Sequence, residues 1–320
     1  MDKNLFMIMC HKNLSQVLLL AKTLLSSESD VVVHIDTAVD DNEYASFLDA
    51  TKNIPNLYVT DKRLHGVLDT RTLVDIVFLM IEYTKSKGLT YKNYCLMSGQ
   101  DFPIKSISKI NENLLKNYPT PYIDCTPYDK RNWVFHKFKS TPSLIRFNKY
   151  ISEKFKRKSL IRKLLRTSAI VAQKGVQVLK KTAYDHLSKN GIKLYGGSAW
   201  WILPDIAINF IYNEYVNSSA IVESLLETLT PEETFFQTMT MLSPCKNDVE
   251  INPIDKVDQN CKTWAYFSDT DKPFKGHPYI FTVNEFDKLK ASPCWFARKF
   301  DIQQDCKIIE MVQNNLIIEE

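Results

Sequence analysis

The chain has 320 residues, of which 44% are hydrophobic and 12% aromatic, enough apolar material for one large domain or two small ones. A formal net charge of +4 does not indicate a nucleic-acid-binding protein. The sequence contains no run of about 18 apolar residues, so no membrane span is predicted. Seven cysteines are scattered singly without a CxxC pair, which favours reduced thiols in a cytosolic protein over a zinc site or a disulfide framework. The N-terminal stretch "MDKNLFMIMCHKNLSQVLLL" is predicted to form a strand, a turn and a helix rather than a signal peptide.

The first 125 residues alternate between short apolar runs and segments with helical spacing. Strands are predicted at "NLFMIMCH", "DVVVHID", "NLYVT" and "YCLMSG", and helices at "NLSQVLLLAKTLL", near 42–53 and at 70–86. The alternation predicts an α/β fold, with a mostly parallel central sheet and helices on both of its faces. Ligands of such sheets bind beyond the carboxyl ends of the strands. The polar residues predicted at this edge are His11, His34, Asp36, Ser98, Gln100 and Asp101.

The middle of the chain has a different character. Residues 142–189 are strongly basic with helical spacing, and strands and helices mix again from residue 192 onward. Because no Pro- or Ser-rich linker separates these parts, the sequence predicts one domain over 1–320 with an inserted basic helical segment. Apolar residues between the cations of 154–181 build a helical stripe, as in helices that lie on anionic membranes. Two alternatives remain open: the stripe packs on the domain itself, or some of the cations bind the diphosphate of a ligand.

Several strand-end motifs have both a structural and a binding interpretation. Asp36, in "HID", can accept hydrogen bonds from a nucleotide base or ribose, or it can cap the next turn. Asp101, in "SGQDFPIKS", can cap a helix through its carboxylate. The glycine pair of "YGGSAWWIL" allows close backbone approach, and Trp200 and Trp201 point to opposite faces if they lie in a strand. One tryptophan then belongs to the core, and the other can stack on a sugar in a cleft.

The stretch "TPEETFFQTM" begins with the signature of a helix start. Thr230 is a good N-cap, Pro231 suits the first helical position, and Glu233 completes a capping box three residues after the threonine. Acids at this place also stabilise a helix through its dipole, by roughly 0.3–1 kcal/mol. Only one acid is needed for the box, so the pair Glu232 and Glu233 leaves a carboxylate that can face a cleft and act as a general base. The pattern alone does not decide between stability and chemistry.

Two later stretches, "TWAYF" and "CWFARKFD", combine aromatic residues with candidate binding groups. Trp264 and Tyr266 lie on one face of an extended segment, either as a stacking platform or as part of a plain core strand. Arg298 and Lys299 stand between aromatic residues, and cations held by packed neighbours suit a diphosphate. The alternative is a solvated pair of cations on an amphipathic segment.

Taken together and in this order, five of these stretches resemble the core-2/I-branching β-1,6-N-acetylglucosaminyltransferase and peptide O-xylosyltransferase family, glycosyltransferase family 14. The matching stretches are "HID", "LMSGQDFPIKS", "GGSAWWIL", "TPEETFFQT" and "FARKFD". The resemblance implies a GT-A-type nucleotide-sugar fold, with 1–125 as the nucleotide-binding half and 192–320 as the acceptor and catalytic half. It also implies inverting transfer from a UDP-sugar to a glycan or lipid-linked glycan acceptor, without a divalent metal or other cofactor, in bacterial surface polysaccharide synthesis.

The resemblance assigns roles residue by residue. Glu233 matches the catalytic base. The residues expected at the donor are Ile8, Asp36, Gly66, Val67, Leu68, Arg298 and Lys299. The residues expected at the acceptor are Trp200, Trp264 and Tyr266. Within the donor set, the first two are expected at the uracil, and the last two are expected to neutralise the diphosphate in place of a metal ion.

The chain departs from the family's pattern in two places. The turn "HGVLDTR" lacks the tryptophan or tyrosine that the family usually carries there, so contacts from Gly66, Val67 and Leu68 are expected to come mainly from the backbone. Ala199 replaces an acid of xylosyl-transferring relatives, which leaves the donor sugar open, with GlcNAc and xylose as the expected choices. The absence of the mammalian disulfides fits a cytoplasmic enzyme, held peripherally at the inner face of the membrane.

Two alternative functions remain. One is a non-catalytic carbohydrate- or membrane-binding module of the same fold, which would keep the aromatic residues without needing both Glu233 and the Arg298–Lys299 pair. The other is a metal-dependent transferase that uses Asp269 and Asp271 of "SDTD". In such enzymes the metal-binding pair is expected to follow an early strand, where this chain has "SGQD" instead.

Overall fold

A six-stranded sheet runs through the centre of the protein. The computed structural model describes residues 2–129, 168, 183–253, 260–266 and 278–317. In spatial order the strands are β3 (Leu57–Val59), β2 (Ser29–Ile35), β1 (Asn4–Cys10), β4 (Asn93–Ser98), β9 (Trp201–Pro204) and β6 (Tyr122–Ile123). The first four are parallel to one another, and β9 runs antiparallel between β4 and β6. The predicted mostly parallel central sheet is confirmed.

Helices cover both faces of this sheet, as the sequence predicts. On one face lie α3 (Thr72–Ser86), α5 (Ala183–Lys189), α6 (Asp205–Val216), α7 (Ala220–Leu226) and α8 (Phe235–Thr240). On the other face lie α1 (Leu14–Leu24), α2 (Asp41–Thr51), α4 (Ile107–Lys116), α9 (Phe286–Ala291) and α10 (Cys306–Asn315). Side chains of β1 alternate between the two cores: Leu5 and Met7 pack in the first, and Phe6 and Ile8 in the second.

The start of α3 shows how a turn shortens a predicted helix. The spacing predicts a helix over 70–86, whereas α3 begins at Thr72. Two hydroxyl groups close the preceding turn: Thr70 Oγ1 donates to the Val67 carbonyl oxygen (2.7 Å), and Thr72 Oγ1 accepts from the Val67 N–H (2.9 Å). Because Ser and Thr side chains compete with helical hydrogen bonds, the threonines end the turn instead of extending the helix.

A second sheet of three strands carries the polar residues that follow β4. Its strands are β10 (Thr263–Ala265), β11 (Phe296–Arg298) and β5 (Asp101–Pro103). The antiparallel register of β11 and β5 sets Arg298 directly opposite Asp101. The prediction that Asp101 caps a helix is therefore wrong, because this residue is fully buried within a strand. The cap of α4 is Ser106, whose hydroxyl oxygen accepts from the Lys109 N–H (3.4 Å).

Two predicted features lie outside the described residues. The basic stripe of 154–181 does so apart from Ser168, and so do Asp269 and Asp271. Within the described part of the chain, no helix has both the length and the apolar character needed to cross a membrane. In the same residues, no group of three His, Cys, Asp or Glu side chains could hold a metal ion. All seven cysteines are free thiols, and Cys306 is the exposed one.

Asp124, which follows β6, is a buried carboxyl group beside the start of β10. Its Oδ1 accepts a hydrogen bond from the Cys261 N–H (3.3 Å). Burial raises the pKa of Asp124 to about 6, although hydrogen bonds from Cys261 and its neighbours oppose the rise. A carboxyl group whose pKa is higher in the folded than in the unfolded state stabilises the fold at low pH. That contribution is lost as the pH rises through the folded-state pKa.

We therefore expect Asp124→Asn to gain stability relative to the wild type as the pH rises from about 4 to about 7, because asparagine cannot ionise. A pKa raised from 3.8 to about 6 corresponds to a relative gain of about 3 kcal/mol. Denaturant unfolding of both proteins across this range measures the gain, since the other titrating groups are common to both. A difference in stability that stays constant with pH would contradict the assignment.

Candidate functional site

Asp36 lies directly after β2, at the carboxyl edge of the sheet, and its side chain organises the turn that follows β3. Its Oδ1 accepts hydrogen bonds from the Ala38 N–H (2.7 Å) and from His65 Nδ1 (2.8 Å). Its Oδ2 accepts one from the Gly66 N–H (2.6 Å). Burial raises the pKa of Asp36, but the hydrogen bonds outweigh burial, so the pKa is lowered and the carboxylate is ionised at neutral pH. Because a carboxylate offers about four acceptor positions, this one has room for a further donor from a ligand.

The turn that donates these hydrogen bonds is itself fixed to the end of β2. His34 Nε2 accepts a hydrogen bond from the Leu64 N–H (3.0 Å), and the Arg63 guanidinium donates to the Asp36 carbonyl oxygen (2.8 Å). Burial lowers the pKa of His34 to about 4, which keeps the ring neutral and able to accept. The position of the Asp36 carboxylate is therefore set by contacts between the end of β2 and the turn that follows β3.

The surface of this turn is apolar. Val67 and Leu68 are 40% and 55% exposed. The backbone groups that the sequence predicts to contact a ligand are partly used inside the protein, because the Gly66 N–H donates to Asp36 and the Val67 N–H donates to Thr72. The turn therefore offers a ligand the side chains of Val67 and Leu68 rather than these two N–H groups.

Arg298 is a buried cation at the end of β11. It is 7% exposed, and its Nε lies 3.5 Å from Oδ1 of Asp101. Its Cζ lies 4.3 Å from the centroid of the Trp200 ring, within cation–π range. Burial lowers the pKa of Arg298, and the Asp101 carboxylate opposes this effect. Among the described residues, Nε and Nη1 have no hydrogen-bond partner, which marks a place for an anion or an ordered water. A solvated surface cation is excluded for this residue.

Lys299 lies half-buried among other cations. Burial lowers the pKa of Lys299, and the charges of Arg298 and Lys12 lower it further. His11, directly after β1, has its pKa lowered by burial and by the charges of Lys12 and Lys299. Lys12 Nζ is paired with Asp301 Oδ2 at 3.1 Å, whereas no described residue accepts a hydrogen bond from Lys299 Nζ. Cations crowded in this way favour the binding of an anion.

The two acids of "TPEETFFQTM" differ in accessibility, because Glu232 is buried and Glu233 is half-buried. The predicted capping box is wrong. Thr230 adopts a left-handed conformation with φ of 51° and makes no side-chain cap, and Pro231–Glu233 is a 3₁₀ turn that precedes α8. The Thr230 hydroxyl instead donates to the Leu229 carbonyl oxygen (2.7 Å), and it lies 3.3 Å from the Glu233 carboxylate. Glu233 is thus the more exposed of the two acids.

The loop of residues 196–200, named the glycine loop below, joins Glu233 to Arg298. It follows β8 (Tyr195–Gly196), which pairs with β7 (Thr126–Pro127). The Gly197 N–H donates to the Glu233 carbonyl oxygen (2.9 Å), and Trp200, at the other end of the loop, packs on the Arg298 guanidinium. One short loop therefore positions the backbone of Glu233 and the tryptophan ring that covers one side of the Arg298 guanidinium.

The two tryptophans at the end of the glycine loop are divided as the sequence predicts. Trp201, in β9, is fully buried and packs on Phe236, with ring centroids 4.7 Å apart. Trp200 is half-buried. Gln237 of α8 ties the glycine loop to this helix, because its Nε2 donates to the Ser198 carbonyl oxygen (2.6 Å). The core tryptophan thus anchors the loop, and its neighbour reaches the site.

Three predicted site residues lie apart from this arrangement. Trp264 is on the face of the three-stranded sheet opposite to Arg298. Its ring lies 5.4 Å from that of Tyr266, and both pack on Phe281 at 5.4 and 5.8 Å. Ile8 is fully buried in the core, so its side chain has no surface to offer a ligand. The acceptor and base contacts predicted for these three residues stay predictions.

Three residues that contribute to the site were assigned no binding role from the sequence, although Asp101 is among the polar residues predicted at the edge of the sheet. Asp101 pairs with Arg298 through a strand register that brings distant parts of the chain together, and no local pattern reports such a register. His65 and Lys12 lie in irregular turns, where periodicity carries no information. One signal was available for Asp101, because an acid directly before apolar residues at the start of a buried segment needs a partner.

Comparison with known proteins adds no identification. No protein-family model matches the sequence, and no curated protein sequence matches it at a significant level.

The glycine loop yields a direct prediction. A Cβ atom on Gly197 would lie 1.8 Å from the Asp124 carbonyl oxygen, so Gly197→Ala forces the loop or β6 to move. We expect a loss of stability on the order of 3 kcal/mol or more, the upper end of overpacking effects. Gly191→Ala is the matched control, because no atom lies within 4 Å and only its φ of 70° is strained, at about 1–2 kcal/mol. Equal losses for the two variants in denaturant unfolding would show that the close approach is not a constraint.

Proposed function

We propose that the protein is an inverting glycosyltransferase of the GT-A type that uses a UDP-sugar, with Glu233 as the catalytic base. The observation that carries the proposal is the glycine loop, which links the half-buried Glu233 to a buried guanidinium beside the carboxyl edge of a mostly parallel sheet. The five sequence motifs that resemble the branching N-acetylglucosaminyltransferases and xylosyltransferases support the same assignment.

The donor nucleotide is assigned to the edge formed by Asp36 and Lys299. The ionised Asp36 carboxylate accepts hydrogen bonds but cannot donate them, which suits the ring N–H of uracil. The exposed side chains of Val67 and Leu68 provide apolar cover for a base. The diphosphate then reaches Arg298 and Lys299, where each charge-assisted hydrogen bond is worth about 1.5–3 kcal/mol.

The reaction is a direct displacement. Glu233 takes the proton of an acceptor hydroxyl as the oxygen attacks the anomeric carbon of the sugar. The bond from that carbon to the β-phosphate oxygen breaks on the opposite face, so the anomeric configuration inverts and UDP leaves with the bonding electrons. A positioned general base contributes about 10²–10⁴-fold to such a step.

Arg298 and Lys299 stabilise the negative charge that grows on the departing diphosphate. Fixed cations in a site that excludes water act strongly on such a charge, because they need no reorganisation during the step. We therefore expect transfer to proceed without a divalent metal. The expected donor sugar is GlcNAc or xylose, and the expected acceptor is a glycan or lipid-linked glycan of a bacterial surface polysaccharide.

The two adjacent acids give a matched pair of variants. We expect Glu233→Gln to keep the fold and UDP binding but to lower the transfer rate by about 10²-fold or more, because the amide cannot accept the proton. Glu232→Gln, which changes the buried neighbour, should lose far less. Initial rates with one donor and acceptor pair measure both effects. Equal losses, or a larger loss for Glu232→Gln, would assign the base to the wrong residue.

The role of Lys299 can be separated from general electrostatics by comparing two ligands. We expect Lys299→Ala to weaken UDP binding by about tenfold or more, because a charge-assisted contact with the diphosphate is lost. Uridine, which has no phosphate, should bind both proteins alike in calorimetry. Lys12→Ala is the control, since Lys12 is already paired with Asp301 and should contribute less. A similar loss for uridine would show that Lys299 does not contact phosphate.

A further inference from the structure

Asp101 is a fully buried carboxylate that the proposed reaction does not use. Its Oδ2 accepts a hydrogen bond from the Ser98 N–H (2.8 Å), which ties it to the end of β4. Its Oδ1 lies 3.5 Å from Arg298 Nε and has no hydrogen-bond partner among the described residues. Burial raises the pKa of Asp101, and the Arg298 charge opposes this rise. A buried acid held in this way is costly unless it has a partner charge, so its position needs a reason.

The reason lies in the orientation of Arg298. The guanidinium is flanked by the Asp101 carboxylate, directly across the β5–β11 pair, and by the face of Trp200 at 4.3 Å. These two contacts restrain the guanidinium, the first as an ion pair and the second as a cation–π contact. None of its five N–H groups, however, donates a hydrogen bond within the described residues. The protein therefore restrains the orientation of the cation and leaves its donors for something else.

We propose that Asp101 is a positioning residue, which together with Trp200 holds the Arg298 guanidinium in the orientation that binds an anionic group. That the anion is the diphosphate of a UDP-sugar rests on the function proposed above. Trp200 then acts as a wall of the cation site, in addition to any contact that it makes with an acceptor.

A positioning role and a simple charge-balancing role predict effects of opposite sign. If Asp101 only offset the charge of Arg298, Asp101→Asn would leave the site more positive, and an anion would bind more tightly. If Asp101 holds the guanidinium in place, the same change releases it and the anion binds more weakly. The direction of the change in affinity therefore distinguishes the two roles.

Calorimetric titrations of UDP, uridine and inorganic pyrophosphate provide the test. We expect Asp101→Asn to weaken UDP and pyrophosphate binding by about tenfold or more and to change uridine binding by no more than about twofold. Asp30→Asn is the matched control, because Asp30 is also a buried acid paired with a lysine, Lys3 at 2.7 Å, but lies at the start of β2. It should leave all three affinities unchanged. Tighter UDP binding by Asp101→Asn, or equal losses for UDP and uridine, would overturn the proposal.

A double-mutant cycle with Arg298→Met tests whether Asp101 acts through Arg298. In the Arg298→Met background we expect Asp101→Asn to have no further effect on UDP or pyrophosphate binding, since the group that it positions is gone. Removing both charges also avoids an unpaired buried ion, so the double variant should fold even if one single variant is unstable. A second loss of affinity of similar size in this background would overturn the positioning role.

The three ligands separate this proposal from the proposed function. Pyrophosphate binding that is lost in Asp101→Asn, in a protein that does not bind UDP, supports the positioning role and rejects the UDP-sugar assignment. UDP binding that is insensitive to Asp101→Asn rejects the positioning role and leaves the UDP-sugar assignment standing. A wild-type protein that binds neither UDP nor pyrophosphate would overturn both.

Discussion

Burying the guanidinium of Arg298 is the constraint on which the rest of the site depends. A charge removed from water is costly unless other groups replace its solvation, and at 7% exposure Arg298 is almost wholly removed. The protein supplies a carboxylate from β5 and the face of Trp200, and each of these needs its own support. The three-stranded sheet sets the register of the first, and the glycine loop sets the position of the second. The same loop donates a hydrogen bond to the backbone of Glu233. The positions of the Arg298 guanidinium and of Glu233 therefore depend on one loop.

The turn beside Asp36 obeys a similar rule. Asp36 stands where a buried strand ends, and its ionised carboxylate is stabilised by hydrogen bonds from the turn that it shapes. His34 accepts a hydrogen bond from the Leu64 N–H of that turn, and it can do so only while its ring is neutral. Charge placed at the carboxyl edge of the sheet therefore brings order to the surrounding loops.

Local patterns were enough to predict the four parallel strands of the central sheet, the first three helices and the polar edge. The apolar run at 31–33 belongs to a strand that is buried on both faces, and the helical spacing of α1 matches the face that the helix buries. In these elements the apolar pattern and the burial in the structure agree. The capping box at Thr230 failed because the backbone of Glu233 is held from outside, by Gly197, so the turn follows a tertiary contact instead of helix preference. The partner of Arg298 could not be predicted, because a strand register between distant segments leaves no trace in local spacing.

The central claim is that this edge of the sheet is a UDP-sugar site in which fixed cations take the part of a metal ion. The most direct measurement is the release of UDP from a panel of UDP-sugars by the wild-type protein in excess EDTA. The account predicts slow, saturable release from at least one of them, with the chelator making no difference. Failure of every UDP-sugar to bind or to be hydrolysed, or release that stops with EDTA and returns with Mn²⁺, would contradict it.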